Sequence, residues 1–271
     1  MRLRGKLKQI AYGRRPFYRG TFPYFDHDVH FPFRSHLFDR ACAEGIYEQE
    51  ILELISCFIG QAGTYIDIGA NIGLMSIPVL MRRPDVHVIS VEASPETLRL
   101  LEKTRDASPH RARWAVFGCA VGRSIGIATY WAAQPENSAF DGIKDTGRGG
   151  AKQSVTVKMR TVDDLWQEAG RPVVSIAKID VEGGEVDVIA GARTLIERDR
   201  PALVIEWNRQ NLQAYGVEHG KILEVCREIG YRLFAYPGLF EVSEEAILRV
   251  AMMQTETFLL VSALPSVSSR E

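Results

Sequence analysis

Two acidic residues and a pair of glycines stand where a parallel sheet would meet a small ligand. The segment TYIDIGANIGLM runs from an apolar strand through Asp67 into a turn with Gly69 and Gly73, and then becomes apolar at helical spacing. The next apolar run, VHVISVE, ends at Glu92. In a doubly wound sheet both acids would lie at the carboxyl ends of neighbouring strands, where ligands bind.

The chemistry of this turn favours a ligand with a positive end. It reads G-A-N-I-G and lacks the closely spaced glycines of a dinucleotide-binding G-x-G-x-x-G turn. Asp67 would repel a pyrophosphate and attract an ammonium group. Glu92 follows the glycine turn by about twenty residues, the usual place of an acid that binds ribose hydroxyls. Together they favour S-adenosylmethionine (SAM) over NAD, and the alternatives are an NAD-type oxidoreductase on a similar sheet and a non-catalytic binding protein of the same fold.

Composition sets broad limits on these interpretations. The chain has 271 residues and a formal net charge of −1, which gives no indication of a nucleic-acid partner. No apolar run approaches the ~18–20 residues of a membrane span. The four cysteines form no C-x-x-C pair, so they predict a reducing cytoplasmic location and neither zinc nor a disulfide framework. The oligomeric state is not indicated.

The alternation of apolar runs and helical segments after Thr64 predicts an α/β fold. We expect a doubly wound, mostly parallel seven-stranded sheet joined by right-handed crossovers. Two β-rich runs, SIGIATYW and QSVTVKMR, flank a Gly-rich polar stretch and predict an inserted β-hairpin with a long loop. Helices are predicted over about Ser35–Phe58, 184–198 and about 219–229.

Seven motifs then suggest a family. YIDIGANIG, SVEASP, CAVG, NSAF, MRTVDDL and AKIDVEGGEVDVIAGA, followed by LVIEW, resemble in this order the motifs of the FkbM-type SAM-dependent methyltransferases. The resemblance covers roughly residues 45–210. It implies a Rossmann-like class I methyltransferase that uses SAM and methylates a hydroxyl of a sugar, glycan or secondary metabolite. The acceptor would then be a small molecule or a glycan.

The resemblance also implies roles for individual residues. The residues implied to line the methionine part of SAM are Asp67, Gly69, Ala70, Asn71 and Gly73, with Glu92 at the ribose. Those implied to lie beside the adenine are Ala93, Ser94, Cys119 and Ala120. The family often has Asn or Asp where Cys119 stands, so a backbone contact is expected there.

The resemblance and the composition together suggest three parts of the chain. They are an N-terminal basic arm and helical cap at 1–62, a methyltransferase domain at 63–264 and a tail at 265–271. The first twenty residues contain seven Lys/Arg and no acid. They are interpreted as a solvated arm or as a peripheral contact with an anionic membrane surface or a phosphate-bearing substrate.

The KIDVEGGE motif supplies candidate catalytic residues. Methylation of a hydroxyl profits from a base, and Asp180 at the end of the fourth predicted strand is the first candidate to orient or deprotonate the acceptor. Glu182 is the second. Either acid could instead cap the following helix, which is the role we expect for Glu185. A long inserted loop often acts as a lid, and Asn137-Ser138 would then close over the cleft, while Tyr47 and Glu48 could reach it from the preceding helix.

Other side chains offer metal or base chemistry. Glu206 and Asn208, beside Asp180 at the end of the fifth predicted strand, could hold a Mg²⁺ that chelates a diol, and the alternative is an acceptor pocket without metal. His219 could be a base, although a surface position at a helix start is favoured. The DHDVH run at 26–30 could bind a metal, although a solvated turn is favoured. The DVEG run stands where nucleic-acid amine methyltransferases usually have an Asn- or Asp-Pro-Pro-aromatic run, which favours an oxygen acceptor.

Overall fold

The computed structural model describes residues 3–60 and 62–262, and the first of these ranges forms a helical and β-hairpin segment. Its elements are α1 (Leu3–Lys8), a π-helical turn (Gln9–Gly13), β1 (Thr21–Tyr24), β2 (His27–His30), α2 (His36–Glu44) and α3 (Gln49–Phe58). The β1–β2 hairpin has no counterpart in the sequence prediction. The single helix predicted over Ser35–Phe58 is two helices, because Gly45 and Glu48 have positive φ (87° and 46°) and break it.

The strands that follow form two further sheets. They are β3 (Thr64–Ile68), β4 (His87–Glu92), β5 (Trp114–Gly118), β6 (Ala120–Val121), β7 (Gly126–Ala133), β8 (Lys152–Arg160), β9 (Val174–Ile179), β10 (Ala202–Glu206), β11 (Tyr231–Ala235), β12 (Phe240–Glu241) and β13 (Thr257–Ser262). The main sheet has the order β12-β11-β13-β10-β9-β3-β4-β5 and the small sheet the order β6-β8-β7. The β7–β8 pair is the predicted inserted hairpin.

The predicted doubly wound α/β fold is confirmed, with one strand more than the seven expected. From β5 through β4, β3 and β9 to β10 the strands are parallel, whereas β13 runs antiparallel to both β10 and β11. The additional strand, β12, is two residues long and pairs antiparallel with β11. Two residues are too few for an alternating pattern, so this strand could not be predicted from the sequence.

Helices cover both faces of the main sheet. They are α4 (Ser76–Arg82), α5 (Pro95–Ala107), α6 (Val162–Glu168), α7 (Glu185–Ala190), α8 (Arg193–Asp199), α9 (Arg209–Tyr215), α10 (Lys221–Ile229) and α11 (Glu245–Ala251). Alternate strand residues face opposite cores: Ile66 and Ile68 pack with α6, α7, α8 and α10, whereas Tyr65 packs with the N-terminal segment and α4. The N-terminal segment therefore shares a core with the sheet.

One of the predicted helices is interrupted, and the helix that precedes another was missed. The helix predicted over 184–198 is interrupted between α7 and α8, where Gly191 approaches the carbonyl of Gly122 so closely that a Cβ would overlap it. The helix predicted over 219–229 begins at Lys221. It is preceded by α9, which the sequence analysis missed.

Candidate active site

A cavity of about 360 Å³ opens at the carboxyl ends of β3, β4, β9 and β10. Its wall is completed by α2, the residues just after α2, and the inserted 3₁₀ turn Pro135–Phe140. The carboxyl groups that line it are those of Glu48, Asp67, Glu92, Asp141, Asp180, Glu182 and Glu206, and the lysine or arginine cations are those of Arg40, Arg148 and Lys178. The carboxyl groups outnumber these cations, so those that are ionised favour a ligand with positive charge.

Glu92 connects the end of β4 to the turn after β3. Its Oε2 accepts a hydrogen bond from the backbone N–H of Asn71 (2.8 Å), and its Oε1 accepts one from the N–H of Ser94 (2.8 Å). Burial, with a contribution from nearby Asp141, raises the pKa of Glu92 to about 7 against the effect of the backbone donors. Each oxygen can accept a second hydrogen bond, so Glu92 offers a fixed two-oxygen acceptor in the cavity wall.

Asp67 lies buried at the end of β3, and it also lines the cavity. Its Oδ2 accepts a hydrogen bond from Ser76 Oγ (2.6 Å), which also lies 2.8 Å from Ser90 Oγ. Its Oδ1 has no hydrogen-bond partner within the described part of the chain. Burial raises the pKa of Asp67, and the positive charge of Lys178 on the adjacent strand β9 opposes this shift. The Asp67 carboxyl group therefore brings buried negative charge to the cavity wall, where it attracts an ammonium group.

The two glycines of the turn serve different purposes. Gly69 (φ 84°) lines the cavity, and a Cβ there would overlap the carbonyl oxygen of Asp180 on the neighbouring strand. Gly73 (φ 88°) is not part of the cavity wall; a Cβ there would lie 3.0 Å from Leu101 Cδ1. Gly69 therefore permits the close approach of β3 and β9 at the site, and Gly73 permits the turn to pack against α5 and β5.

Gly69→Ala is expected to destabilise the fold by at least about 2 kcal/mol more than Gly150→Ala does, because a clash with backbone cannot be relieved by rotating a side chain. Gly150 is a matched control: its φ is 83°, and a Cβ there meets nothing within 4 Å. Urea unfolding of both variants measures the difference. Equal losses would show that positive φ alone, and no strand contact, selects glycine at 69.

The residues assigned to the adenine side are only partly gathered at the cavity. Ala93, Cys119 and Ala120 line it, whereas Ser94 is buried outside the lining and contributes its N–H to Glu92. The N–H of Cys119 donates to the carbonyl of Glu92 (3.1 Å). The backbone contact expected from Cys119 to the adenine therefore cannot come from that N–H.

A cluster of three carboxyl groups lies at the ends of β9 and β10. Asp180, Glu182 and Glu206 each offer an oxygen within 4.8 Å of the others. Glu182 Oε2 accepts hydrogen bonds from Arg148 Nη1 (2.9 Å) and Asn211 Nδ2 (2.9 Å), and Asn211 Nδ2 also donates to Glu206 Oε2 (3.3 Å). Burial, and then the charge of Asp180, raise the pKa of Glu182 to about 8 and that of Glu206 well above its usual value. Glu182 can therefore exchange a proton near neutral pH.

Asn208 does not belong to this cluster, which corrects the metal-ligand set Asp180, Glu206 and Asn208. Asn208 Oδ1 accepts from the N–H groups of Gln210 (2.8 Å) and Asn211 (3.2 Å), so Asn208 is the N-cap of α9. Its Nδ2 donates to Glu256. Glu182, and not Asn208, lies beside Asp180 and Glu206.

Lys178 joins the two halves of the site from within β9. Its Nζ lies 2.6 Å from Asp180 Oδ2 and 4.0 Å from Glu48 Oε2, and in the sheet register it is the partner of Asp67. Although burial opposes it, the charges of Asp180, Glu48 and Asp67 raise the pKa of Lys178 well above its usual value. Lys178 is therefore a permanent buried cation among three carboxyl groups.

The insertion between β6 and β8 closes over both ends of the cavity. Ser138 Oγ donates to Asn71 Oδ1 (3.2 Å) above the glycine turn. Farther along the insertion, Arg148 reaches Glu182, and its guanidinium lies 4.8 Å from the centre of the Phe140 ring. The position of Ser138 agrees with the lid predicted from Asn137-Ser138.

Comparison with known proteins connects this geometry to a family. The sequence profile described as the Methyltransferase FkbM domain matches residues 67–233, more than half of the chain. The chain belongs to the FkbM methyltransferase family. As its motifs suggested, the glycine turn and the carboxyl cluster both lie within the matched residues.

Two curated relatives match part of this chain. Methyltransferase sdnD of Sordaria araneosa is 24% identical over 152 residues, which cover 46% of this chain and 59% of that protein. The hexuronic acid methyltransferase AglP of Haloferax volcanii is 24% identical over 150 residues, which cover 55% of this chain and 58% of that protein. The matches thus span little more than half the length of each relative.

Solved structures show a similar chain path at low sequence identity. A methyltransferase FkbM from Methylobacillus flagellatus KT has a TM-score of 0.49 at 17% identity, over 83% of this chain and 52% of that one. An O-methyltransferase from Bacillus cereus has a TM-score of 0.46 at 11% identity, over 84% of this chain and 89% of that one.

Within residues 3–60 and 62–262 of this chain, none of the helices could span a membrane.

Three lesser candidates lie away from the cavity. His219 is not in its wall, and its carbonyl accepts from Trp207 Nε1 (3.0 Å). The 26–30 run forms part of the β1–β2 hairpin, and His27 is buried beside Ser108 Oγ (2.8 Å), so the run is no solvated turn. In the described ranges, the carboxyl cluster is the one group of three or more His, Cys, Asp or Glu residues close enough to share a metal. Glu185 Oε1 accepts from the N–H of Gly183 (3.0 Å) at the start of α7, close to its expected capping role.

Sequence analysis missed Lys178, Arg148 and Asn211. Lys178 could have been found from the sequence, because a lysine inside the apolar run VVSIAKID must be buried beside a partner. Asn211 had a weaker signal, because Asn208 and Gly216 mark the two ends of a helix that carries it. Arg148 had none, since its contact depends on the path of a long loop.

The free energy of unfolding of this protein without SAM is expected to fall as pH rises from 6.5 to 8.5. Burial raises the pKa values of Glu92 and Glu185 to about 7 and that of Glu182 to about 8, above the usual 4.5. The folded protein therefore holds protons that the unfolded chain has released, and stability is lost as pH rises through these values. Each group contributes up to about 1.4 kcal/mol per pH unit.

Urea unfolding across this pH range tests the expectation. Glu182→Gln should flatten the upper part of the profile, because its side chain cannot lose a proton. A free energy of unfolding that rises between pH 6.5 and 8.5 would contradict the protonated state of the cavity.

Proposed function

We propose that this methyltransferase transfers a methyl group from SAM to a hydroxyl of a sugar, a glycan or a polyhydroxylated secondary metabolite. The observation that supports it is the arrangement of one cavity with a ribose-type acceptor, Glu92, on one side and a proton-exchanging carboxyl cluster on the other. The name of the relative AglP, a hexuronic acid methyltransferase, agrees with a sugar acceptor.

The residues of the cavity fit SAM. We propose that the free acceptor positions of Glu92 bind the two ribose hydroxyls, and that Asp67 attracts the ammonium end, directly or through water. Gly69, Ala70 and Asn71 would line the methionine part, and Ala93, Cys119 and Ala120 the adenine. SAM supplies an activated methyl group on a sulfonium.

The carboxyl cluster would act on the acceptor. A neutral hydroxyl is a weak nucleophile, so its proton must move to a nearby base as the methyl group transfers. We propose that Asp180 orients the hydroxyl, since Lys178 holds its carboxylate at 2.6 Å, and that Glu182, with its pKa of about 8, receives the proton. Arg148 and Asn211 fix Glu182 in place.

A Mg²⁺ held by Asp180, Glu182 and Glu206 is a second candidate for this step. Burial and then the charge of Asp180 raise the pKa values of Glu182 and Glu206, and a divalent cation that chelates a diol would offset this repulsion. Arg148 already supplies a positive charge beside Glu182 of this cluster. The form without a metal is therefore favoured.

The proposed division of the chain gives acceptor choice to the N-terminal part. We propose that residues 1–62 act as a cap on a methyltransferase domain at 63–264, because His36, Arg40 and Glu48 reach the cavity from α2 and the residues after it.

The proposed tail, 265–271, lies outside the described residues. A cytoplasmic location and the absence of a nucleic-acid partner stay predictions.

Two measurements test the function. Isothermal titration calorimetry should show binding of SAM and none of NADH; the reverse result would favour the oxidoreductase. Methyl-labelled SAM should then label a member of a panel of uronic acids, neutral sugars, nucleotide sugars and lipid-linked glycans, with the product an O-methyl ether by mass spectrometry and NMR. Loss of activity in EDTA and recovery in Mg²⁺ would establish the metal. SAM binding without transfer to any hydroxyl would contradict O-methylation.

A further inference from the structure

The first eighteen described residues, here called the basic arm (residues 3–20), expose an unusual set of apolar side chains. Leu3 is 74% exposed, Leu7 58%, Ile10 47% and Phe17 54%. Leu3, Leu7 and Ile10 follow one another at i, i+4 and i+7 along α1 and the π-helical turn, so they lie on one side of the helix. Single exposed apolar residues are normal, but four in eighteen residues make a patch that requires a partner.

Exposed cations lie in the same stretch of the chain. They are Arg4, Lys6, Arg14, Arg15 and Arg19. None of the five is ion-paired to another residue within 3–60 and 62–262. The first acid of the chain is Asp26, so the basic arm presents positive charge without local compensation.

The opposite side of the basic arm is fixed to the protein. Lys8 Nζ lies 4.9 Å from the centre of the Phe22 ring, and Gln9 Nε2 donates to Asp39 Oδ1 of α2 (2.6 Å). Gly5 is buried, and Gly13 packs against the Phe38 ring. The arm therefore holds its apolar residues outward as a preformed surface.

We propose that the basic arm docks the protein on anionic phospholipid bilayers. Apolar side chains flanked by lysine and arginine suit the interface of a bilayer, where the chains enter the acyl boundary and the cations meet lipid phosphates. A nucleic acid would use the cations and leave Leu3 and Leu7 in water. A second copy of the chain would bring like charges together.

Docking would also place the active site near the bilayer. The basic arm packs on α2, and α2 contributes His36, Leu37 and Arg40 to the cavity wall. An acceptor attached to a lipid would then be presented to that wall. The docking itself does not depend on the proposed acceptor.

Vesicle co-sedimentation of the full chain tests the proposal. We expect binding to vesicles of phosphatidylcholine with phosphatidylglycerol, weak binding to phosphatidylcholine alone, and release at high salt. Arg14→Glu/Arg15→Glu should lower the partition into anionic vesicles at least about tenfold. Leu3→Asp/Leu7→Asp should lower it about tenfold even at low salt.

Matched substitutions elsewhere separate docking from general surface effects. Lys103→Glu/Lys158→Glu reverses two exposed cations, and Ile125→Asp/Ile127→Asp replaces two exposed apolar residues of the β7 region. Both should bind vesicles like the unmodified chain, and all four variants should keep their SAM affinity and unfolding temperature. Equal binding to neutral vesicles, equal loss in the controls, or self-association of the chain through the patch in place of vesicle binding would overturn the proposal.

Discussion

Glu92→Ala is expected to weaken SAM binding by about 100-fold or more, because hydrogen bonds to a charged group contribute about 1.5–3 kcal/mol each and Glu92 offers two oxygens. Both oxygens are already oriented by the N–H groups of Asn71 and Ser94. Calorimetry at pH 8.5 measures the loss, since the carboxyl group, with its pKa of about 7, is then ionised.

Controls make this result specific to the site. Glu96→Ala removes an exposed acid four residues later, in the first turn of α5, and should leave SAM affinity unchanged. Glu92→Gln keeps one acceptor oxygen and should give an intermediate loss. Unchanged affinity in both Glu92→Ala and Asp67→Ala, with both variants folded, would refute the idea that these acids bind SAM.

Asp180→Asn is expected to lower kcat by about 10²–10⁴-fold on the acceptor that the methyl-transfer screen identifies, with SAM affinity largely unchanged. The substitution keeps the shape of the side chain but removes the charge that Lys178 holds at 2.6 Å. Label transfer under saturating SAM gives kcat, and calorimetry gives the affinity. A fully active Asp180→Asn would remove this residue from the mechanism.

Glu182→Gln separates the two roles proposed for the cluster. If Glu182 receives the proton, kcat of the unmodified enzyme should rise with pH through about 8, and the variant should lose that rise. Asp187→Asn is the matched control, because Asp187 is exposed on α7 and pairs with Arg123 outside the cavity. An unchanged pH profile in Glu182→Gln would assign the proton to another group.

The positions of the strand ends were readable from the sequence, because each is fixed by local rules. Asp67 and Glu92 end apolar runs, and parallel strands bring such ends to one edge. Gly69 was expected to line the methionine part of SAM. The partner that requires it, the carbonyl of Asp180, could not be read, because it depends on the pairing of β3 with β9.

Most of what failed depended on contacts between distant segments. The helix at 184–198 breaks because Gly191 meets the backbone of Gly122, some seventy residues earlier in the chain. Asn208 was assigned to a metal although its position before α9 suits an N-cap, so there a local signal was available and was passed over. Glu182 reaches Glu206 because it adopts φ 60°, a conformation that the sequence does not reveal.

The excess of carboxyl groups over cations in the cavity wall bears on how the reaction cycle ends. Methyl transfer turns the sulfonium into a neutral thioether, so the bound molecule loses the positive charge that the ionised carboxyl groups of the wall attract. The spent cofactor, S-adenosylhomocysteine, should accordingly leave more readily than fresh SAM, and turnover should be less prone to product inhibition than in an electrically neutral cleft.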